Sequence, residues 1–362
     1  MSAAATVPPP EQIEIDVEGD EAAALELFHA WGFTDGLPVV IPTRERVARM
    51  CAGAKHYALE SLGNLAPRDG AATIQKIAIN AVMAGCLPEH MPVLEAAVAA
   101  MRESDFNLIG MQTTTHPCAL LAIVQGPVAA ELGMNAGHGC MGPGTRANAS
   151  IGRALRLIQQ NIGGAIPGLT DKATQGSPAK YGFCFAENEA ESPWPPLRTT
   201  LGFTAEDSCV TVAAAEGPHN VNDHLSSSGE SILGTIAGTM ATVGNNNLYV
   251  GGDHFVVLGP EHAAVIAASG FSREDVQAWL FEHARVGVDR IPAQKLEELT
   301  SWGGYAGQLD SWGGRIPLAR DASLIRVLVA GGAGKHSAWI PTFAVGYAQT
   351  RAVDLQTELC TL

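Results

Sequence analysis

Two His-x-Cys pairs are the strongest candidates for chemistry in this sequence. His116-Pro-Cys118 is followed, twenty-two residues later, by His138-Gly-Cys140. Imidazole and thiolate together suit zinc or another borderline metal such as iron, and the neighbouring Gly and Pro residues allow the chain to turn so that the side chains converge. We therefore predict a zinc or iron site formed by His116, Cys118, His138 and Cys140. The alternative is that these are separate loop residues, with Cys118 a small buried hydrophobic side chain.

The second pair lies in a glycine-rich loop before a predicted helix. Gly137-His-Gly-Cys-Met-Gly-Pro-Gly144 contains G-x-G-x-x-G, and the N–H groups of such a loop and of the following helix N-terminus favour an anion. It is not a dinucleotide fingerprint, because it does not directly follow a strand and no acidic residue lies about 20 positions further on. We predict that Arg146 and Asn148 bind a carboxylate or phosphate, and that His138 and Cys140 are catalytic, with Cys140 as the thiolate. A purely structural turn is the alternative.

Two further segments supply histidines that suit general acid or base catalysis. Residues 216–230 place His219 and His224 close to Asp223, which would give a proton acceptor an orienting carboxylate. Gly251-Gly-Asp-His254 follows and adds another imidazole. We predict His219, His224 and His254 as catalytic residues. For His254 the alternative is a glycine turn in which the aspartate satisfies the local backbone.

Near the end of the chain, Gly331-Gly-Ala-Gly-Lys-His-Ser337 follows a predicted strand. It is not a P-loop, because Val329 occupies the position of the first glycine and His336 follows the lysine where Ser or Thr is required. A nucleotide cofactor is therefore not expected. We predict that this segment presents Lys335 and His336 to an anionic substrate, with a simple surface loop as the alternative.

The elements that must position these residues indicate an α/β fold, with a mixed α+β arrangement as the alternative. Short apolar runs followed by a helix start suggest a pseudo-repeated strand–Gly–Pro–helix unit, and a further buried strand is predicted at residues 324–330. The three copies of the unit are centred on residues 37–42, 120–127 and 254–260. Longer helices are predicted at residues 73–86, 91–101, 147–162, 228–243 and 272–284, the last capped by Ser272.

The predicted organisation is two-lobed. Residues 1–20 combine three prolines with acidic side chains and are expected to form a flexible arm. An N-terminal lobe over residues 21–190 carries the glycine, histidine and cysteine loop, and a C-terminal lobe covers residues 198–362. The Pro and charge content of residues 187–197 is typical of an exposed connector. We expect the active site at the interface of the lobes.

Composition excludes several classes of function. The 362 residues include 22 basic and 37 acidic side chains, for a formal charge of −15, which opposes binding to nucleic acid or to an anionic membrane. No stretch approaches the ~20 consecutive apolar residues of a membrane span. The N-terminus lacks the basic and apolar regions of a signal peptide, so a cytoplasmic location is expected. The expected partners are a small anionic substrate and a second copy of the chain.

Five phrases, taken together, resemble a known family. They are Thr34-Asp-Gly-Leu-Pro-Val39, Lys76-Ile-Ala-Ile-Asn-Ala-Val-Met-Ala-Gly85, Arg146-Ala-Asn-Ala149, Phe185-Ala-Glu-Asn-Glu189 and Gly334-Lys-His-Ser337. The chain after the arm resembles an uncharacterised bacterial family associated with operons for small UGSC-motif thiol or selenol proteins. The resemblance implies thiol-linked chemistry on a small molecule. This sequence has no Cys-Gly-Ser-Cys or Cys-x-x-Cys segment, so a partner thiol protein would supply the thiol pair.

The sequence favours an enzyme, a lyase or a hydrolase, that acts on a small anionic molecule. The predicted reaction is metal-assisted or thiolate-assisted lysis, hydration or hydrolysis of a bond between carbon and a heteroatom. Two alternatives stay open. In the first, Cys140 is a covalent nucleophile without a metal, and a histidine relays protons. In the second, the chain is a non-catalytic subunit of a multi-protein complex that docks through the arm and the connector around Trp194.

Overall fold

A computed structural model describes residues 14–301 and 308–355. The helices within these residues are α1 (Glu21–Ala30), α2 (Arg44–Cys51), α3 (Ile74–Ala84), α4 (Met91–Met101), α5 (Leu108–Thr113), α6 (Pro127–Glu131), α7 (Arg146–Asn161), α8 (Leu197–Thr200), α9 (Gly229–Met240), α10 (Asn247–Val250), α11 (Pro260–Ala268), α12 (Arg273–His283) and α13 (Ala293–Ser301). The strands are β1 (Ser61–Leu65), β2 (Gly70–Thr73), β3 (Ala119–Gln125), β4 (Phe183–Ala186), β5 (Cys209–Ala215), β6 (His219–Asn222), β7 (His254–Leu258), β8 (Arg285–Gly287), β9 (Arg315–Pro317), β10 (Ile325–Val329), β11 (His336–Ile340) and β12 (Gln349–Ala352). The chain has an α/β fold.

The five longer helices expected from the sequence are present as α3, α4, α7, α9 and α12. Local capping explains where they begin. At α12 the Ser272 hydroxyl accepts a hydrogen bond from the Asp275 N–H, and the Asp275 carboxylate accepts one from the Ser272 N–H. This reciprocal capping box satisfies two backbone donors that the first helical turn would otherwise leave unpaired.

Three of the four expected strands are also present, as β3, β7 and β10. The strand predicted at residues 37–42 is wrong: the segment is irregular, and Leu37 and Val40 are each more than 40% exposed. The Arg153 guanidinium donates to the carbonyl groups of Leu37 and Pro38, so a side chain takes the place of a neighbouring strand. The first copy of the predicted repeat therefore has a helix, α2, but no strand, and the repeat stays a prediction.

Two four-stranded sheets form the centre of the fold. Sheet I has the order β12-β5-β3-β4, and sheet II has the order β10-β7-β11-β6. In each sheet one pair of strands is parallel, namely β3 with β4 and β7 with β10, and the other pairs are antiparallel. Two small antiparallel pairs, β1-β2 and β8-β9, lie outside these sheets.

The two sheets pack face to face between two layers of helices. Leu121 and Ile123 of β3 share one buried cluster with Phe255 and Val257 of β7. Because side chains alternate between the faces of a strand, their neighbours point outward. The outward side chains of sheet I pack against α3, α4 and α7, and those of sheet II against α9, α11 and α12. The resulting order of layers is helix, sheet, sheet, helix.

The predicted lobes share sheet I. β5 and β12 lie beyond residue 198 in the chain, yet they complete sheet I beside β3 and β4. All four strands of sheet II come from the C-terminal half, so only the C-terminal half adds strands to the sheet of the other half. The connector between the halves is not fully exposed either, because Glu187 and Leu197 at its ends are buried.

The parallel pairs of the two sheets, β3 with β4 and β7 with β10, run in the same sense, which defines two ends of the molecule. The Asn188 N–H, just after β4, donates to the Val329 carbonyl at the end of β10 at 2.7 Å. At the opposite end, Ala215 forms an isolated bridge with Thr342. We call the end where β3, β4, β7 and β10 finish the carboxyl end, and the end where they begin the amino end.

Candidate functional site

The two His-x-Cys pairs lie at opposite ends of β3. His116 and Cys118 precede the strand at the amino end, whereas His138 and Cys140 follow it at the carboxyl end. A seven-residue strand is about 20 Å long, so four side chains divided in this way do not share one metal ion. Across residues 14–301 and 308–355, no group of three or more His, Cys, Asp or Glu side chains is arranged to hold a metal. The structure does not assemble the predicted four-residue site.

At the amino end, His116 forms a dyad with Glu216. The His116 Nε2 atom lies 2.8 Å from Glu216 Oε1, and the two side chains are 12% and 26% exposed. β3 and β5 are antiparallel with Ala119 opposite Ala215, so the residues just before β3 face those just after β5. The sheet register therefore creates this dyad from residues that are one hundred positions apart in sequence.

The second ring nitrogen of His116 is unused. Nδ1 is buried and has no hydrogen-bond partner among the described residues. The ring lies against Phe343, with centroids 5.6 Å apart. Since a buried polar atom without a partner costs free energy, this nitrogen calls for a water molecule or a ligand. With Glu216 accepting from Nε2–H, Nδ1 carries a lone pair and acts as a proton acceptor.

A narrow cleft lined by Cys118, two residues after His116, contains charged side chains and has room for about one water molecule. Lys180 Nζ donates to Asp171 Oδ2 at 2.7 Å, and Arg156 lies 3.7 Å from the same oxygen. Two cations thus face one carboxylate, which leaves an excess positive charge. Gln112 also lines the cleft, and its Oε1 atom is buried without a partner in the described part of the chain. The charges and the unused acceptor favour a small anion with a polar group, and the cleft must widen to admit one.

Cys118 joins the cleft to the dyad. Its thiol is fully buried and donates to the Met111 carbonyl at 3.8 Å. Burial raises the pKa of Cys118 to about 12, with smaller effects from Lys180, Asp171 and Glu216. Cys118 lines the cleft and lies two residues after His116 in the chain. At neutral pH the thiol is protonated, so Cys118 packs as a small hydrophobic side chain, as the alternative interpretation held.

His254, also at the amino end, is a structural residue. The ring is fully buried, its Nε2 atom lies 2.8 Å from the Leu318 carbonyl oxygen, and its Nδ1 accepts from Trp339 Nε1–H at 3.0 Å. Burial lowers the pKa of His254 to about 4. Because the ring is fully buried and both of its nitrogens have hydrogen-bond partners, we assign His254 a structural role and not the predicted catalytic one. His219 is exposed on β6, with Nδ1 3.0 Å from the Asn220 carbonyl oxygen.

At the carboxyl end, Asn148 holds the loop that carries Cys140. Its Oδ1 accepts from the Asn135 N–H, and its Nδ2 donates to the carbonyl groups of Asn135 and Cys140. Asn148 is 3% exposed and all of its polar atoms are used within the loop. It therefore positions the loop and has no free group for the anion that the sequence led us to expect.

The Cys140 thiol lies in a mixed environment. Burial raises its pKa, whereas the nearby backbone groups of Met141 and Gly331 lower it, and the first effect is larger. His138 is exposed, and its ring lies against Gly332, where a Cβ atom would stand 2.2 Å from the imidazole. The two glycine-rich loops predicted from the sequence thus meet at this end. Arg146, however, is exposed and donates to the Gly85 carbonyl.

His224, Lys335 and His336 also meet at the carboxyl end. His224 Nε2 lies 3.2 Å from His336 Nε2, and Lys335 Nζ donates to the His224 carbonyl at 3.2 Å. His336 Nδ1 lies 2.9 Å from Asn220 Oδ1. The two histidines are exposed. The sequence singled out all three residues, but the contact between the imidazoles depends on the pairing of β6 with β11.

Several charged residues at the amino end were not predicted as site residues from the sequence. Glu216, Asp171, Lys180 and Arg156 lie in irregular segments or on a helix, and no local motif marks them. Their proximity follows only from the register of β3 with β5 and from the path of residues 162–182 beside the start of β3. The segment before β4 follows the one before β3, as the Thr174 N–H donates to the Thr115 carbonyl.

Glu187, at the carboxyl end, also differs from the expectation drawn from the sequence. It lies in the segment expected to be an exposed connector, yet it is 4% exposed. Its carboxylate accepts from Gln125 Nε2 at 2.6 Å and from the Leu197 N–H at 3.0 Å, and Arg273 lies 3.8 Å away. Burial raises the pKa of Glu187 and lowers that of Arg273. This buried group fixes both ends of the connector to the sheets.

Trp194, inside the connector, is not a free docking surface. Its Nε1–H donates to the Phe271 carbonyl at 3.0 Å, and its ring packs against the helices that cover sheet II. Of the predicted arm, residues 1–13 lie outside the described residues, so docking through the arm stays a prediction.

Comparisons of the chain with known proteins give no relative. No family model, no curated protein and no solved structure matches it. Within the described ranges, none of the helices has the length and apolar character needed to cross a membrane. The functional argument therefore depends on the geometry of the amino and carboxyl ends alone.

Proposed function

We propose that the chain is an enzyme that uses the His116–Glu216 dyad as a general base on a small anionic substrate. The observation that carries this proposal is the buried Nδ1 of His116, which has no partner within residues 14–301 and 308–355, with Glu216 2.8 Å from the other ring nitrogen. A carboxylate in that position fixes the tautomer of the imidazole and stabilises the imidazolium that forms when Nδ1 takes a proton.

The neighbouring cleft supports an anionic substrate. Lys180 and Arg156 exceed Asp171 by one positive charge, and Gln112 Oε1 offers an unused acceptor. A substrate carboxylate or phosphate would take up Lys180 and Arg156 in place of part of their contact with Asp171. With the anion held there, His116 removes a proton from the adjacent carbon or from an attacking water.

The reaction that best fits a single proton acceptor beside an anion site is lysis of a carbon–heteroatom bond or addition of water across a double bond. Hydrolysis, in which His116 activates water, uses the same groups. No step here requires a metal, and zinc or iron as a cofactor stays a prediction. A cytoplasmic location, a homodimer and a partner thiol protein stay predictions as well.

The alternative in which Cys140 is a covalent nucleophile receives less support. Burial raises the pKa of its thiol, and the thiolate is the reactive form. The backbone groups of Met141 and Gly331 lower this pKa, but by less than burial raises it. We therefore rank this alternative, and a non-catalytic role in a complex, below the His116 site.

Anion binding provides the first test. Isothermal titration calorimetry with malonate and with inorganic phosphate as probes is expected to give saturable binding to the wild type. Lys180→Met is expected to weaken it by about 10-fold or more, because a hydrogen bond to a charged group contributes about 1.5–3 kcal/mol. Lys172→Met is the matched control, since Lys172 is exposed and donates to the Gly168 carbonyl. Equal affinities in the two variants would contradict the assignment of the cleft.

A further inference from the structure

The geometry points to a second site: we infer that His224 and His336 bind a transition-metal ion such as Zn²⁺ or Ni²⁺ at the carboxyl end. This site is separate from the His116–Glu216 dyad and differs from the four-residue site predicted from the sequence. The observation behind it is the convergence of two exposed imidazoles, with their Nε2 atoms 3.2 Å apart.

The spacing of the two nitrogen atoms matches metal coordination. For a metal about 2.05 Å from each nitrogen, a separation of 3.2 Å corresponds to a nitrogen–metal–nitrogen angle of about 100°. That angle lies close to the tetrahedral value. The rings are nearly perpendicular, at 78°, and their centroids lie 5.0 Å apart. The remaining coordination positions would be open to water or to a ligand.

A neighbouring side chain sets the tautomer of His336. Its Nδ1 lies 2.9 Å from Asn220 Oδ1, which accepts a hydrogen bond from Nδ1–H, so the lone pair is on Nε2. A metal-binding histidine usually donates its other N–H to an acceptor in this way. The lone pair of His336 therefore already points towards His224.

The backbone of His224 is also fixed. The preceding residue, Asp223, accepts from the N–H groups of Leu225 and Ser226 and from the Thr235 hydroxyl. Lys335 Nζ donates to the His224 carbonyl. Little ordering is therefore needed when a metal binds.

These ligands also limit the class of metal. Two neutral imidazoles favour borderline ions such as zinc, nickel and copper. Calcium and magnesium prefer several oxygen ligands, usually carboxylates, which this pair does not provide. The nearby positive charge of Lys335 also disfavours calcium and magnesium, which bind mainly by electrostatic attraction.

Calorimetric titration of the untagged full chain with Zn²⁺ tests the inference. We expect about one ion per chain, at least 10-fold weaker binding in His224→Ala and in His336→Ala, and no binding of Mg²⁺. Asn220→Ala, which removes only the group that orients His336, is expected to weaken Zn²⁺ binding by about 10-fold. His219→Ala is the matched control, because His219 is exposed on the same strand as Asn220 and bonds only to a backbone carbonyl.

Both histidines are exposed, so the variants are expected to unfold at the temperature of the wild type, and circular dichroism checks this. Substitution with Co²⁺ gives a second readout, since a tetrahedral site has a characteristic visible absorption. Absence of Zn²⁺ binding to the wild type, or an affinity that is unchanged in His224→Ala and His336→Ala, would overturn the inference.

Discussion

Buried and exposed histidines have different roles in this protein. His254 and His90 are buried, and burial lowers the pKa of each to about 4. His116 is partly buried, with one nitrogen held by Glu216 and the other unused. Of these three histidines, His116 is the one that combines a fixed tautomer with an unused proton acceptor, which is why the proposed chemistry is assigned to it.

His254 leads to a prediction about pH and stability. Its pKa is about 4 in the folded chain against an ordinary value of 6.5, so it stabilises the fold above pH 6.5, and this contribution is lost as the pH falls towards 4. The full contribution is about 3 kcal/mol. Urea unfolding of the wild type and of His254→Asn is the measurement. We expect the wild type's advantage over the variant to shrink by about this amount between pH 7 and pH 4. An advantage that is the same at both pH values would contradict the role given to His254.

The sequence predicted only some of the residues of the candidate site. His116 stood out because of its spacing to Cys118, but its partner Glu216 did not, since the dyad depends on the register of two strands. The residue types around Cys140 suggested a reactive thiol, whereas its burial, which raises the thiol pKa, is a property of the packed loops. Local composition indicates a residue's chemistry, and tertiary packing decides whether that chemistry is used.

Elements with strong local signals were predicted well. α12 has a capping box in its sequence, and β3 and β10 are apolar runs of the length of a buried strand. The segment at residues 37–42 has the same apolar character, but its prolines remove backbone donors, and Arg153 satisfies its carbonyl groups instead. A proline-bounded apolar run is thus ambiguous until its hydrogen-bond partners are known.

The loop before α7 depends on one side chain. Asn148→Ala is expected to lower the free energy of unfolding by about 1–3 kcal/mol, because it leaves buried groups of Asn135 and Cys140 without partners. It is also expected to speed the reaction of Cys140 with iodoacetamide, since the loop then opens more often. Urea unfolding and mass spectrometry of the labelled chain measure these effects.

Asn148→Asp is the second variant for that experiment, because it keeps the acceptor for the Asn135 N–H but places a buried carboxylate opposite the carbonyl oxygens of Asn135 and Cys140. At neutral pH its effect on unfolding should be at least as large as that of Asn148→Ala. Labelling of Cys140 at the same rate in all three proteins would show that Asn148 does not hold the loop closed.

The whole molecule is organised around one core between the two sheets. Leu328 of β10 is fully buried there, together with side chains of β3 and β7. β5 and β12 of the C-terminal half also complete sheet I, so the N-terminal half does not carry a complete sheet by itself. The sequence suggested two lobes because of the Pro and charge content of residues 187–197, but the return of β5 and β12 to sheet I leaves no mark on composition.

This arrangement predicts cooperative unfolding. Far-ultraviolet circular dichroism and tryptophan fluorescence are expected to report one coincident urea transition. Leu328→Ala should move both signals together and cost about 2–5 kcal/mol. Leu225→Ala, at a leucine that is 96% exposed, should change stability by less than about 0.5 kcal/mol. Two separate transitions, only one of which responds to Leu328→Ala, would contradict a shared core.

The central claim is that His116 removes a proton next to a bound anion. Exchange of carbon-bound hydrogen for deuterium from the solvent tests this claim most directly. The wild type is incubated in D₂O with small 2-hydroxy and 2-amino carboxylates, and mass spectrometry follows deuterium at carbon. We expect exchange in at least one acid, a rate about 10²–10⁴-fold lower in His116→Asn, and an unchanged rate in His283→Asn, whose ring stacks on Trp279 at the surface. Exchange at the wild-type rate in His116→Asn, or exchange in none of these acids, would contradict the account.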